Sequence, residues 1–242
     1  LNMSVLKSSS ERLAQRVAGE ISLSDDPGKM MRKWRELFHV PQIILAEFLD
    51  ISPSVISDYE GSRRKSPGTK TIKRFVEGLL AIDEKNGGQI TAAFSRLMGV
   101  EIPTDIILDI REFTSPVNAR HFCSTIRAEC VVGGEFLDRS LLGYIVVDSI
   151  SAFRELSGDA FLKLYDATSE RGVIFTNAST GRSPLITIKI NTRKPGLIVL
   201  HGLLEADPLA VELAKKEGIP LAISKIESVE GMIKELRQIT PL

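Results

Sequence analysis

Ser54, Ser57 and Asp58 are short, polar and spaced three and four apart, so a helix carrying them would show all three on one side. Such a set can exchange hydrogen bonds with the edges of nucleic-acid bases. Serine donates or accepts, and aspartate can accept from a cytosine amino group. Val55, if partly exposed, would be in reach of a thymine methyl group. The chain then reads Arg63-Arg64-Lys65, followed by Lys70, Lys73 and Arg74, with no acidic residue between Gly61 and Phe75. Cations grouped in this way neutralise phosphates, which supplies much of the affinity for DNA and makes it salt-dependent. The chain as a whole holds 31 basic and 31 acidic residues, so this excess is local.

Those side chains need a short, rigid helix braced by a second one, and residues 42–65 have that layout. Pro41 stands at a helix start, where its missing N–H costs nothing. Leu45, Phe48 and Leu49 follow at i, i+3 and i+4 as the inward face, with small Ala46 allowing close approach. Asp50 occupies the turn and Ile51 plugs the gap between the helices. Ser52 caps the second helix, Pro53 opens it, and Val55, Ile56 and Tyr59 face inward. Gln42, at the start of the first helix, is placed to reach a phosphate. The expected DNA contacts are therefore Gln42, Ser52, Ser54, Val55, Ser57, Asp58, Arg63, Arg64, Lys65 and Lys70.

Gln42, Leu45-Ala46, Ser52, Ile56-Ser57 and Glu60-Gly61 give this stretch a pattern that resembles the lambda repressor/Cro (Xre) family of helix-turn-helix domains. The chain departs from it twice. Asp50 replaces the turn glycine, and aspartate tolerates the left-handed conformation better than most residues. Gly61 comes one position early, which alters the path from the second helix to Arg63.

At 242 residues the chain has room for two domains, and 43% hydrophobic with 26% charged residues is ordinary for globular protein. No apolar stretch approaches a membrane span, and LNMSVLKSSSER lacks the apolar core of a signal peptide, so a cytoplasmic protein is expected. The pattern predicts an all-helical bundle over 1–100, with its helix-turn-helix core at 28–83. An α/β domain with a mostly parallel sheet is predicted over 101–242. In the first part, helices are expected from Ser10 to Ile21, from Lys29 to Phe38 with Met30, Trp34 and Phe38 inward, around Ile72 to Leu80, and from Gln89 to Met98. In the second, strands are expected at Ile106–Phe113, Leu142–Val147, Val173–Phe175, Leu185–Ile190, Leu197–Leu200 and Ile219–Ile223, with helices near Ser149–Leu156, after Asp207 and after Ser228. Cys123 and Cys130 are expected as buried free thiols on one helical face, too far apart there for a disulfide.

SPSVISDYE, RRKSPG, YIVVDSI, the TGRSP of Thr180 to Pro184, and KPGLIVLHG followed by DPLA and EGIPLAIS occur in this order. In them the chain is similar to a group of archaeal regulators across most of residues 8–238. Its last third is also similar to DRTGG-type domains, where a strand ending in glycine leads to a helix and a Gly-Ile-Pro strand. The resemblance implies a sensing role.

Ligands of parallel α/β sheets bind beyond the carboxyl ends of the strands. Two loops qualify: Asn177 to Ser183, whose Ser179, Thr180, Gly181, Arg182 and Ser183 suit an anion, and His201-Gly202. The loop has neither the spacing nor the lysine of a Walker A motif, and G-x-G-x-x-G is missing, so no cofactor is expected. His39, His121 and His201 are scattered, and H-E-x-x-H, C-x-x-C and G-x-S-x-G are all missing; no catalytic set and no metal site is expected. The expectation is a sequence-specific regulator that binds double-stranded DNA as a homodimer and answers to a small-molecule effector. The alternatives are a bifunctional enzyme that autoregulates its own gene and a protein-docking module.

Overall fold

A computed structural model describes residues 3–97, 102–178, 185 and 193–240. The chain divides into two compact units, Leu1–Ser95 and Arg96–Leu242. Helices α1 (Met3–Leu23), α2 (Pro27–Leu37), α3 (Gln42–Leu49), α4 (Pro53–Glu60), α5 (Thr69–Lys85) and α6 (Gln89–Arg96) build the first. Leu13, Val17 and Ile21, four apart on α1, are fully buried. Each such side chain contributes roughly 1.5–3 kcal/mol. Helix α2 begins where Asp26 accepts from the Lys29 N–H at 3.0 Å, and Pro27 follows. Its inward stripe is Met31, Trp34, Leu37 and Phe38, whereas Met30, expected there, is only half-buried. Trp34 lies against Phe94, and its indole N–H donates to Glu20 at 3.0 Å, the partner a buried indole requires. Asp83, buried near the end of α5, accepts from the backbone of Ile90 and Thr91 and from the Thr91 hydroxyl. It thereby caps α6 from the preceding helix.

The second unit carries β1 (Ile107–Asn118), α7 (Ala119–Thr125), β2 (Ala128–Val132), β3 (Ser140–Asp148), α8 (Ser149–Glu155), α9 (Gly158–Ala167), β4 (Gly172–Thr176), β5 (Leu197–His201), α10 (Pro208–Glu217), β6 (Leu221–Ser224) and α11 (Val229–Arg237). The sheet order is β1-β3-β4-β5-β6-β2. The inner pairs β3–β4, β4–β5 and β5–β6 are parallel; the outer pairs β1–β3 and β2–β6 are antiparallel. The architecture is an all-helical bundle followed by an α/β unit with a mostly parallel sheet, as the sequence pattern indicates. One sheet face, with Tyr144, Val146, Ile174, Val199 and Ala222, packs on Phe122, Met232 and Leu236 of α7 and α11. On the other, Phe175 meets Tyr165 of α9 edge-on. Asp109, fully buried, accepts from the Tyr144 hydroxyl at 2.8 Å and from Arg237 at 2.9 Å, tying α11 to β1.

Three expectations change. Cys130 is not on the helix of Cys123: Arg127 takes a left-handed conformation (φ 47°), the helix stops, and Cys130 sits on edge strand β2, exposed. Helix α9, capped by Ser157, lies in a stretch where no element was expected. Leu185, expected to open a strand, is helical and buried; 186–190 lie outside the described residues. Burial pushes the Cys123 thiol up to about 12. With native protein at neutral pH, a thiol reagent should therefore modify Cys130 alone, and both cysteines after denaturation. Mass mapping of two modified cysteines in the native state would contradict this packing. Among the described residues no helix is long and apolar enough to cross a membrane.

Candidate functional site

Helices α3 and α4 meet through a tight turn at Asp50, which holds the left-handed conformation (φ 51°, ψ 52°). Its N–H bonds to the carbonyl of Glu47, and the Ile51 N–H to that of Ala46. Leu45, Ala46, Leu49 and Ile56 are buried between the helices; Ile51, Val55 and Tyr59 are half-buried. Phe48, expected inward, is exposed and lies under the Lys85 ammonium at 5.5 Å. Small Ala46 takes the inward place instead, which lets α4 approach closely.

The carboxylate of Glu60, at the last position of α4, is the buried anchor of this pair. Arg35 donates to it through Nε at 2.6 Å and Nη2 at 2.8 Å, and also reaches the Val40 carbonyl at 2.9 Å. Gln42 donates to the same carboxylate at 2.8 Å. The Gln42 amide, expected to reach a phosphate, is thus engaged inside the bundle, where it fixes the start of α3 against the end of α4. In the sequence Glu60 stands out only as part of Glu60-Gly61; its partners lie 25 and 18 residues away.

Ser52, Ser54, Ser57, Asp58, Arg63, Arg64, Lys65 and Lys70 are each exposed or half-buried. Ser52 occupies the cap position, but its hydroxyl pairs with that of Ser54 at 2.7 Å and makes no side-chain cap bond. The Asp58 carboxylate, expected to be open to a base, accepts from Arg63 Nε at 2.7 Å, and Ser57 Oγ accepts from Arg63 Nη2 at 3.0 Å. Gly61 permits this fold-back: a Cβ there would stand 2.9 Å from Arg63 Nη1 and 3.0 Å from the Ser57 carbonyl. Gly61 itself is not left-handed (φ −88°); the next residue, Ser62, is (φ 56°). The early glycine is therefore a point of close approach, and Ser62 makes the turn. The Ser62 hydroxyl donates to Asp26 at 2.7 Å. That bond and the stronger one from the Lys29 N–H hold the Asp26 carboxyl below its ordinary range. Arg64 lies over the Tyr59 ring at 5.5 Å. Lys65 and Lys70 are exposed and pair with no carboxylate among the described residues. Arg74 is drawn off to the Leu49 carbonyl and Lys73 stands 3.7 Å from Glu77.

In the second unit, the carboxyl ends of the parallel strands carry a polar row. Asp148 pairs in register with Thr176, and His201 with Ser224; the Phe175–Leu200 pair places Thr176 beside His201. Each residue stands two beyond Val146, Ile174, Val199 or Ala222, and so lies on the α7/α11 face. His201 is 4% exposed. Its Nε2 donates to the Ile226 carbonyl at 2.9 Å, and its buried Nδ1 has no hydrogen-bond partner among the described residues. The Ser149 hydroxyl, next after Asp148, is also buried and has no partner among the described residues. Gly202 (φ 92°) passes Asn177, where a Cβ would meet its backbone at 3.5 Å. Asn177 donates to Asp148 at 2.7 Å. Burial raises the Asp148 pKa, but hydrogen bonds from Ser151 and Asn177 outweigh that and lower it. Ser179, Thr180, Gly181, Arg182 and Ser183 lie outside the described residues. A cleft of about 410 Å³ opens elsewhere, lined by Arg139, Glu170, Lys194 and Glu217. Its cations are engaged: Lys194 pairs with Glu217, and Arg139 reaches the Phe136, Gly196 and Gly218 carbonyls.

No protein-family model matches the chain, and no solved structure does. Among similar proteins is an uncharacterized HTH-type transcriptional regulator of Methanocaldococcus jannaschii, 42% identical over 231 residues that cover 95% of each chain. An uncharacterized HTH-type transcriptional regulator of Archaeoglobus fulgidus is 39% identical over 228 residues, 93% of this chain and 96% of the other.

Proposed function

The chain belongs to the same family of HTH-type transcriptional regulators as these two archaeal proteins, and from that premise we propose that it binds specific sites on double-stranded DNA through the first unit and responds to a small-molecule effector through the second. One observation carries the DNA half. The outward side of α4 gathers Ser54, Ser57, Asp58 and Arg63, with Arg64, Lys65 and Lys70 close behind in sequence. Base-edge readers stand on the helix and phosphate-binding cations at its margin, the division of labour that sequence-specific binding needs. The order of Gln42, Ile56-Ser57 and Glu60-Gly61 supports a place for the first unit within the lambda repressor/Cro (Xre) class. One such helix reads too few base pairs for genomic selectivity, so a homodimer on a two-fold site is the working form. The effector half rests on the row Asp148, Thr176, His201 and Ser224, at the sheet end where α/β units bind ligands, and on the buried Nδ1 of His201, which has no partner among the described residues. The resemblance to DRTGG-type regulatory domains supports the same reading.

The deciding experiment is selection and sequencing of genomic fragments bound by the full chain at near-physiological salt. A shared, roughly palindromic site is expected, and its neighbouring genes supply effector candidates. Binding without a shared site would reduce the first unit to a general DNA-affinity module and direct work on the second toward enzymatic activity. Lys65→Ala with Lys70→Ala should weaken binding to every sequence alike. It should also reduce the slope of log K against log salt by about one to two units. A sequence-dependent loss would show that these lysines read bases.

A further inference from the structure

The geometry points to Arg63 as a guanine-reading residue, positioned by Asp58 and Ser57. This rests on the reading of α4 as the DNA-recognition helix. An arginine beyond a helix end ordinarily keeps about 2 kcal/mol of side-chain rotational entropy, part of which is lost when it binds. Here the guanidinium is already placed. Asp58 takes the Nε–H at 2.7 Å, Ser57 takes one N–H of Nη2 at 3.0 Å, and Gly61 leaves the space that Nη1 occupies. A guanidinium has five N–H donors in a planar fork. With Nε–H and one Nη2–H engaged, both N–H groups of Nη1 and one of Nη2 remain. Nη1 and Nη2 form the end of the fork, which matches the O6 and N7 acceptors of guanine in the major groove.

The charge at this point argues against the alternative, a phosphate contact. The Asp58 carboxylate in direct contact with Arg63 would repel a phosphate brought to the same guanidinium, whereas a neutral base edge bears it; Asp58 also stands 3.9 Å from Arg64, so the three side chains together keep one positive charge. Lys65 and Lys70, with no carboxylate partner among the described residues, carry the phosphate role instead. Nor is the pair there to hold the fold. Its side chains are 61% and 34% exposed, and exposed pairs contribute at most about 1 kcal/mol. Variants at these positions should therefore fold.

The test uses the full-length parent, Arg63→Lys and Asp58→Asn. Each is put through selection from randomised duplexes at near-physiological salt, with melting curves as the check on folding. The parent should enrich one fixed guanine in each half-site. Arg63→Lys keeps the charge but loses the fork, so the preference for that guanine should fall roughly ten- to hundredfold while the salt slope stays the same. Asp58→Asn should reduce the same preference by a smaller factor and strengthen non-specific binding, since it removes a negative charge. A fixed guanine that survives Arg63→Lys undiminished would overturn the assignment and leave the recognition-helix reading intact. An equal loss on all sequences would likewise overturn it and make Arg63 a phosphate contact. A parent that selects no shared site would overturn both readings.

Discussion

Replacing Glu60 by alanine should destabilise the helical unit by about 3–5 kcal/mol, the range for removing one partner of a buried ion pair. The Glu60 side chain is 2% exposed and that of Arg35 11%. The cost arises chiefly from what is left behind. Arg35 would keep the Val40 carbonyl but lose its bidentate counter-charge, and the Gln42 amide would lose its acceptor. At about 4–8 °C per kcal/mol for a unit of this size, melting should fall by well over 10 °C. Denaturant unfolding of the full chain followed by circular dichroism measures it directly. Glu60→Gln should cost less, because one amide oxygen still accepts from Arg35. DNA affinity should fall with stability, since Glu60 locks the end of α4, the helix proposed to read the bases, to α2 and α3. A loss below about 1 kcal/mol for Glu60→Ala would mean that the pair is solvated and that another contact sets the placement of α4.

The turn between α3 and α4 was legible because it is local. Proline at a helix start, a residue tolerant of the left-handed conformation at Asp50, and serine before Pro53 each act over a few residues. What escaped was set at a distance. The Glu60 partners lie 25 and 18 residues back, and nothing in Glu60-Gly61 says that the carboxylate turns inward. Asp58 looked like a free acceptor, since its engagement depends on Arg63 folding back across Gly61. Ser52 reads correctly as a cap position, but its hydroxyl is claimed by a neighbouring serine. In the second unit, the seven-residue spacing of Cys123 and Cys130 fits a helical stripe. The Arg127 backbone and the pairing of β2 with β6 override it, and that pairing joins residues nearly a hundred apart. His201-Gly202 was singled out from its place after a strand. The polar row around it appears only once the parallel register aligns four strand ends.

One substitution made at two glycines should have opposite signs. Gly19 lies within α1, with nothing within 4 Å of the place a Cβ would take. Alanine there should stabilise the unit by roughly 0.5–1 kcal/mol, because it lowers the entropy lost on forming the helix and meets no obstacle. Gly28, in the first turn of α2, is buried, and a Cβ would stand 1.9 Å from the Tyr59 carbonyl oxygen. A backbone atom cannot swing aside as a side chain can, so α2 and α4 must part. Overpacking of this kind costs roughly 1–3 kcal/mol, and the upper end is expected here. The displacement also bears on function. Tyr59 is the penultimate residue of α4, and Asp26, two residues before Gly28, receives the Ser62 hydroxyl that fixes the path to Arg63. Gly28→Ala should therefore weaken specific DNA binding more than its loss of stability explains, with the excess visible well below the melting temperature. Gly19→Ala should leave binding unchanged. If Gly28→Ala kept both parental melting and parental DNA affinity, the close passage of α2 against α4 would be wrong, and with it the route by which the first helices position α4.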